Sequence, residues 1–507
     1  MRVPFSELGK FVDVSDLDPA ELVEKLNAHS VEASLDFFGN PGVERVVVGK
    51  VLKTEPHPSL GKLLVCEVDV GDRKVVVCTN DKTVKGGDKV FVVLPGGRVG
   101  DLLISERNFK GITSQGMFLG LEELVGIPSE GVFKFRDPSV EPGRSVKDLL
   151  GLGEPIIELD ITPNRGDLLS VKGLAREVAA LYGREFREPP VSIPEPFGDG
   201  VEVEVLDPQA CGRYRGAVLR GLEVKESPLW LQAALWKFGE AVINNVVDVT
   251  NYLLFLEGNP MHAFDLSKVE GKVVVRRARE GERFLALNGK EYELSPEDLV
   301  VADERKVLAL AGVIGGAESA VGPDTTEVLL ETAYFDPFTV RKAAKRHDVR
   351  TESSYRFERN VDVENVPRAQ AMAVGLMERL AGGRLTAVVE RYPRPYRPKV
   401  VRLSHRKLVD YTGAPIPPSE ALRILNSLGL RTSLRPSDER GLRALVLKKV
   451  ASLKGCEGFE LSAEGDVDGF LLCGGKRVPV LLNREAENFE GLVVRYELTP
   501  EGLSISF

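Results

Sequence analysis

Cysteine, histidine and tryptophan are all scarce in this chain: five, five and two of them in 507 residues. Cys66, Cys78, Cys211, Cys456 and Cys473 are scattered with no CxxC pair. An odd number at such spacings argues against a disulfide framework or a zinc site, so the expected compartment is the reducing cytosol. Long apolar runs are missing as well. Nowhere do about 18 consecutive apolar residues occur, and Met1-Arg2-Val3-Pro4 leads straight to Glu7 and Asp13 without the apolar stretch of a secretory signal. The expectation is a soluble cytoplasmic protein with no membrane partner. An excess of positive charge is also lacking. With 67 Lys+Arg against 76 Asp+Glu the net charge is -9, which excludes nucleic-acid binding by unspecific attraction of the whole molecule. No GxxxxGK(S/T) phosphate loop is present, so the chain offers no Walker-type nucleotide site.

The length exceeds one ordinary core and implies about three to five domains. From Asp18-Pro19 to about His29, the spacing of Ala20, Leu22, Val23 and Leu26 predicts a short amphipathic helix that Asp18 would cap. Residues 43 to about 135 switch to short β-branched runs, Val46-Val47-Val48, Leu63-Leu64-Val65, Val75-Val76-Val77 and Val90-Phe91-Val92-Val93-Leu94, with glycine turns between them. That rhythm predicts a small barrel. Leu174, Val178 and Leu181 then mark a helix stopped by Gly183, and the proline-rich stretch around Pro189 to Gly200 reads as a linker. Residues 201 to about 390 alternate strands with helices such as 228 to 239 and 364 to 381, as in a large α+β unit. After a second linker at Arg394 to Pro398, Ser419 to Leu428 reads as a helix ended at Gly429. The region from 436 onward, with short apolar runs and frequent glycines, reads as a small β-rich region.

The expected fold is therefore multidomain α+β, with a barrel inserted near the N-terminus. The expected parts are 1–39 (helical), 40–150 (barrel), 151–200 (helix and linker), 201–395 (large α+β domain), 396–435 (short helical segment) and 436–507 (unassigned). Two basic runs stand out. Arg391 to Lys407 holds seven basic residues and no acid, and Arg341 to Arg359 holds seven against three acids. Each reads either as a local RNA contact or as a solvated face.

Four strings carry a specific resemblance: Ile243-Asn244-Asn245 through Thr250-Asn251-Tyr252, Pro260-Met261-His262-Ala263-Phe264-Asp265, Leu330-Glu331-Thr332-Ala333, and Arg350-Thr351-Glu352-Ser353 through Arg359. In this order they resemble the editing module of the bacterial phenylalanyl-tRNA synthetase beta-subunit family. His57 to Gly71 and Phe109 to Met117 likewise resemble the opening and closing motifs of that family's tRNA-binding OB-fold. The resemblance covers about residues 1 to 430 and implies a B3/B4-like editing domain over 201–395 and a B5-like segment over 396–435. The family's later catalytic-like and anticodon-binding domains are not recognisable, so the chain reads as a short form.

The same resemblance implies that His262, Thr250 and Asn251 lie near an aminoacyl ester as the catalytic group. Glu331 would read the tyrosine hydroxyl, Thr351 and Ser353 would wall the pocket, and Gly315 and Gly316 would admit the ligand to the backbone. Lys62, Arg107 and Lys110 would follow the RNA backbone. The implied activity is hydrolysis of tyrosine misattached to tRNA(Phe), in support of phenylalanine-tRNA ligation. No metal site and no cofactor are expected in this chain. ATP and magnesium would belong to a separate alpha subunit, and the expected partners are tRNA(Phe) and that subunit, not DNA. A second reading stays open. Where the family has an arginine shortly before Ile-Asn-Asn, this chain has Ala241, which fits a noncatalytic tRNA-binding or assembly subunit with a decayed pocket.

Overall fold

Asp18 closes the first free amides of the helix Pro19–His29, its Oδ1 accepting from Ala20 N at 2.8 Å and Glu21 N at 3.0 Å. Proline at the first helical position needs no amide partner. The helix buries Leu22, Val23 and Leu26 in one cluster with Val3, Ile157 and Leu159. The last two belong to the strand Pro155–Asp160, which pairs antiparallel with Arg2–Pro4 on one side and Glu32–Phe37 on the other. Residues 1–39 and the start of 151–200 thus fold together as one small α/β layer, and the barrel is an insertion between two strands of its sheet. Separate helical segments had been expected from proximity in sequence alone.

The computed structural model describes residues 1–433, 439–462, 467–483, 490–499 and 502–507. They fall into two compact units, Met1–Lys399 and Val400–Phe507.

In the barrel the sheet order is Met117–Leu119, Lys89–Val99, Glu44–Pro56, Leu64–Asp69, Lys74–Thr79. The turn into Met117 closes the circuit. Gln115 N donates to Val76 O at 2.7 Å and Cys78 N donates to the Ser114 hydroxyl at 3.0 Å, both on the last strand. Alternation sends Val51, Cys66, Val68, Val75, Val77, Val90 and Val92 inward, the period-two pattern of a small closed sheet.

The large domain is built on a four-stranded antiparallel sheet in the order Met261–Asp265, Glu327–Phe335, Cys211–Leu222, Gly382–Arg391. Because successive side chains point to opposite faces, its strands feed two cores. Ala263, Leu330, Ala217 and Val388 face a helical layer containing Leu229–Phe238, Val247–Glu257 and Val366–Ala381. Phe264, Leu329, Ala333 and Val218 face a second core shared with a five-stranded sheet. That sheet runs Val203–Val205, Val273–Arg277, Leu299–Ala302, Val307–Leu310, Ile314–Gly315.

The second unit carries the helices His405–Thr412 and Pro418–Ser427, then Glu439–Leu453 packed on five strands between Gly458 and Ser506. Val446, Leu447 and Val450 of that helix meet Leu471, Val480 and Val494. Of the stretch 436–507, read as β-rich, residues 436–438, 463–466, 484–489 and 500–501 lie outside the described residues. The remainder is β-rich as expected but opens on a helix. Leu442, Val446 and Val450 have its i, i+4 spacing, which the unbroken run Ala444 to Leu447 obscures. The expectation of no disulfide is also overturned, since Cys456 and Cys473 are bonded, with Cα atoms 4.4 Å apart. The hairpin pairing Gly458 with Leu472 erases the 17-residue separation. Cys66, Cys78 and Cys211 are free.

Candidate functional site

The barrel presents its candidate RNA contacts through a buried histidine. His57 Nδ1 accepts from Ser59 N and Leu60 N, both at 3.1 Å, and Nε2 bonds Phe109 O at 2.8 Å. One imidazole therefore ties the loop leading to Lys62 to the hairpin Arg107–Phe109 and Ile112–Ser114, whose tip is Lys110-Gly111. Lys62, Arg107 and Lys110 are all exposed, and Arg107 stacks over Phe109 at 5.3 Å. Cations held at one end of the barrel in this way can follow a phosphate backbone. Lys62→Ala combined with Lys110→Ala should therefore weaken tRNA binding and reduce the salt slope by about 1 to 2. A titration series in KCl checks this, and an unchanged slope returns both lysines to solubilising the edge.

In the large domain the strand register sets the pocket. His262 lies directly opposite Glu331, and Glu331 lies opposite Gly216 on its other flank. Both side chains share a face with Phe264, whose ring meets the His262 imidazole edge-on with centroids 4.5 Å apart. Tyr214, diagonal to Glu331 on the neighbouring strand, projects from the same face and is fully buried. Three polar atoms here are sealed from solvent: His262 Nε2, which has no hydrogen-bond partner, and Glu331 Oε2 and the Tyr214 hydroxyl, which have only each other nearby. Burial pushes Glu331 up to about 8, the Tyr214 phenol pulling it partly back, so this carboxyl is mostly protonated at neutral pH. Part of the His262 surface reaches solvent, but Nε2 does not, and burial pushes the imidazole down to about 4. It is neutral at physiological pH.

Gly315 lies against this imidazole. A Cβ there would fall 2.2 Å from His262 Cε1 and 2.6 Å from Nε2, so only glycine lets the strand Ile314–Gly315 cover the ring. Gly316 answers a different constraint, its Cβ position meeting Leu308 O at 2.7 Å within its own sheet. Thr351 and Ser353 hold the approach to Gly315. Thr351 Oγ1 donates to Val313 O at 2.8 Å and Ser353 Oγ to Gly312 O at 3.1 Å. Thr351 also caps the helix Glu352–Phe357 through Ser354 N.

Thr250 and Asn251 are placed differently. They sit on the helix Val247–Glu257, whose apolar residues pack with Ala263 and Leu330 on the opposite face of the sheet from His262. The Thr250 hydroxyl donates to Val247 O of its own helix at 2.7 Å. Ala241, just before this helix, is exposed. The structure thus gathers His262, Glu331 and Gly315, with Thr351 and Ser353 supporting them, while the Thr250 hydroxyl is turned to its own helix on the other face of the sheet. Tyr214 was not anticipated. The one cue was Gly216, a glycine inside a strand, which signals a close approach nearby. Among the described residues no three His, Cys, Asp or Glu side chains are grouped as metal ligands.

Residues 210–382 match the B3/4 domain family and residues 46–145 match the tRNA binding domain family. The two matches set the class of protein, a tRNA-binding barrel joined to a B3/4 domain in one chain. The chain is 47% identical over 431 residues to the phenylalanine-tRNA ligase beta subunit of Aquifex aeolicus, covering 84% of this chain and 55% of that protein. To the beta subunit of Thermotoga maritima it is 42% identical over 433 residues, covering 84% and 54%. An N-terminal fragment of the phenylalanyl-tRNA synthetase beta-subunit from Pyrococcus horikoshii is similar over 57% of this chain and 85% of that one, at 16% identity with a TM-score of 0.27, and nothing further is drawn from it. The chain belongs to the family of phenylalanine-tRNA ligase beta subunits, and it spans about half the length of the curated relatives it matches.

Proposed function

We propose that this chain binds tRNA through its barrel and hydrolyses tyrosine wrongly esterified to tRNA(Phe) in the pocket between His262 and Glu331, in support of phenylalanine ligation in the cytoplasm. Amino-acid activation, with its ATP and magnesium, would reside in a partner alpha subunit, and this chain would need no cofactor. The observation that carries the reading is the set of three polar atoms sealed on one face of the sheet, His262 Nε2 with no partner and Glu331 and Tyr214 with only each other. A buried polar group without a partner costs about 1–3 kcal/mol, and the set is accounted for when a bound ligand supplies the missing partners.

The chemistry follows from the state of each group. A phenol entering the pocket can pair with the Glu331 carboxyl and the Tyr214 hydroxyl, whereas a phenylalanine side chain leaves them with only each other. A site built this way favours the substrate bearing the hydroxyl. His262, neutral and only weakly basic, suits holding a water or donating to the developing oxyanion rather than acting as a strong base. Gly315 fixes its ring. One observation favours the alternative of a noncatalytic tRNA-holding subunit, namely the Thr250 hydroxyl engaged within its own helix on the other face of the sheet.

The test uses the purified chain without an alpha subunit. Tyrosyl-tRNA(Phe) should be cleared faster than phenylalanyl-tRNA(Phe), and neither should be formed from free amino acid and ATP. Tyrosyl ester that survives no less with the chain than in buffer, while tRNA still binds, sinks the editing reading and leaves the holding one.

A further inference from the structure

A cleft of about 400 Å³ is lined by Pro163, Ala344, Val349 and Ser354, four cations and two carboxylates. We propose that this cleft seats a phosphodiester of the RNA strand whose end carries the ester, an inference that rests on the reading above. Arg341 and Lys345 stand one turn apart on the helix Pro337–Arg346, both exposed and, among the described residues, neither joined to a carboxylate. Arg350 and Arg359 stack on Tyr355, at 4.8 Å and 3.7 Å from its ring centre; stacking leaves the planar edge of the exposed Arg350 guanidinium for other partners, while Arg359 Nη1 is held by Tyr355 O and Glu358.

The two acids only partly offset this charge. Glu358 is paired with Arg359, and Asp348 is the other acid of the lining. The next arginine, Arg346, is by contrast fully engaged by Glu297 and Asp298, so the run Arg341 to Arg359 is not a uniformly solvated face. In a chain of net charge -9, a concavity with more cations than acids concentrates attraction for an anion at one place.

Its location selects RNA phosphate over a free anion. Adjacent residues of one six-residue helix serve both sites: Ser353 holds Gly312 on the approach to Gly315, and Ser354 lines the cleft. A strand bound across that helix can place its ester against His262 while a preceding phosphate lies between Arg341, Lys345 and Arg350.

The experiment is binding of tRNA(Phe) transcript to the full chain over a KCl series. Arg341→Glu with Lys345→Glu should weaken binding at least tenfold and lower the salt slope by about 1 to 2. A charge-matched reversal at Lys290 and Arg305, outside the cleft, should leave the slope near that of the parent, and Arg341→Lys with Lys345→Arg should keep it. All four positions are exposed, so folding should be retained, and circular dichroism checks it. An unchanged slope in the cleft variant, or an equal loss in the control reversal, overturns the proposal even where hydrolysis is found. Full competition of the transcript by inorganic phosphate at equal phosphate concentration also overturns it, since it reduces the site to a simple anion hole. A parent chain that hydrolyses nothing yet shows the slope loss still supports the cleft while removing the editing reading.

Discussion

Replacing Glu331 with leucine should erase the preference for tyrosyl over phenylalanyl ester while leaving the fold as stable as before or more so. The two halves of this expectation come from one fact. Glu331 is 6% exposed, and the one polar group beside its carboxyl is the buried Tyr214 phenol. A carboxyl that held a structural ion pair would leave a buried charge behind when removed, at a cost of about 3–5 kcal/mol. A carboxyl whose neighbour is the neutral Tyr214 phenol leaves no charge behind, and its own burial penalty of about 1–3 kcal/mol is relieved. Substrate discrimination should move oppositely. Losing the acceptor for the phenol removes the same order of energy from the tyrosyl complex, about tenfold to a hundredfold in relative rate. Urea unfolding and paired deacylation rates measure the two effects. A loss of several kcal/mol with discrimination retained would make Glu331 a structural residue.

The same carboxyl gives a signed pH dependence. Its pKa rises from 4.5 to about 8 on folding, so the folded chain holds a proton that the unfolded chain releases. The stability linked to this group is fully present below about pH 4.5 and is lost as pH rises through 8. Glu331→Leu removes that loss, and its advantage over the parent should grow across this window. His262, lowered from 6.5 to about 4, contributes the opposite slope between those two values, and it does so equally in both proteins.

Much of this was readable from local pattern. The glycine-punctuated valine runs between Val46 and Leu94 specify strands because alternation and turn chemistry agree there; Asp18 and Gly183 mark helix ends for similar local reasons, and the helix read over 364 to 381 forms over Val366–Ala381. The pairing of His262 with Glu331 was suggested by ordered strings 69 positions apart. What brings them together is a strand register, and register is a tertiary property. The same property separates Thr250 and Asn251 from them. Both precede His262 closely in sequence, yet a strand sends alternate residues to opposite faces, and the helix packs on the face His262 leaves. Tyr214 escaped for the converse reason, as nothing near it in sequence marks a strand that will lie diagonal to Glu331. The Cys456–Cys473 bond needed the hairpin between them, which spacing alone does not announce.

Gly315→Ala should lower ester hydrolysis by about a hundredfold, and removing the His262 ring should rescue its stability but not its activity. The added methyl would sit 2.2 Å from His262 Cε1 and 3.0 Å from Leu287 Cδ1. Gly315 does not occupy the left-handed region, so the conflict is with the ring and not with backbone strain. The strand cannot retreat freely. Leu287 N donates to Gly315 O at 2.9 Å, Gly316 N donates to Leu308 O at 2.7 Å, and Thr351 and Ser353 hold the carbonyls of Val313 and Gly312. The ring must therefore swing away from Glu331 or the core must open, at about 1–3 kcal/mol for an overpacked site. A displacement of about 1 Å in a positioned group is enough to cost a hundredfold in rate. His262→Ala removes the atoms in conflict, so in the double variant most of the Gly315→Ala destabilisation should disappear, a coupling that a double-mutant cycle measures directly. Hydrolysis should stay as low as in His262→Ala alone. Additive losses of stability would place the alanine methyl against other atoms, and full activity in Gly315→Ala would remove His262 from the chemistry of the pocket.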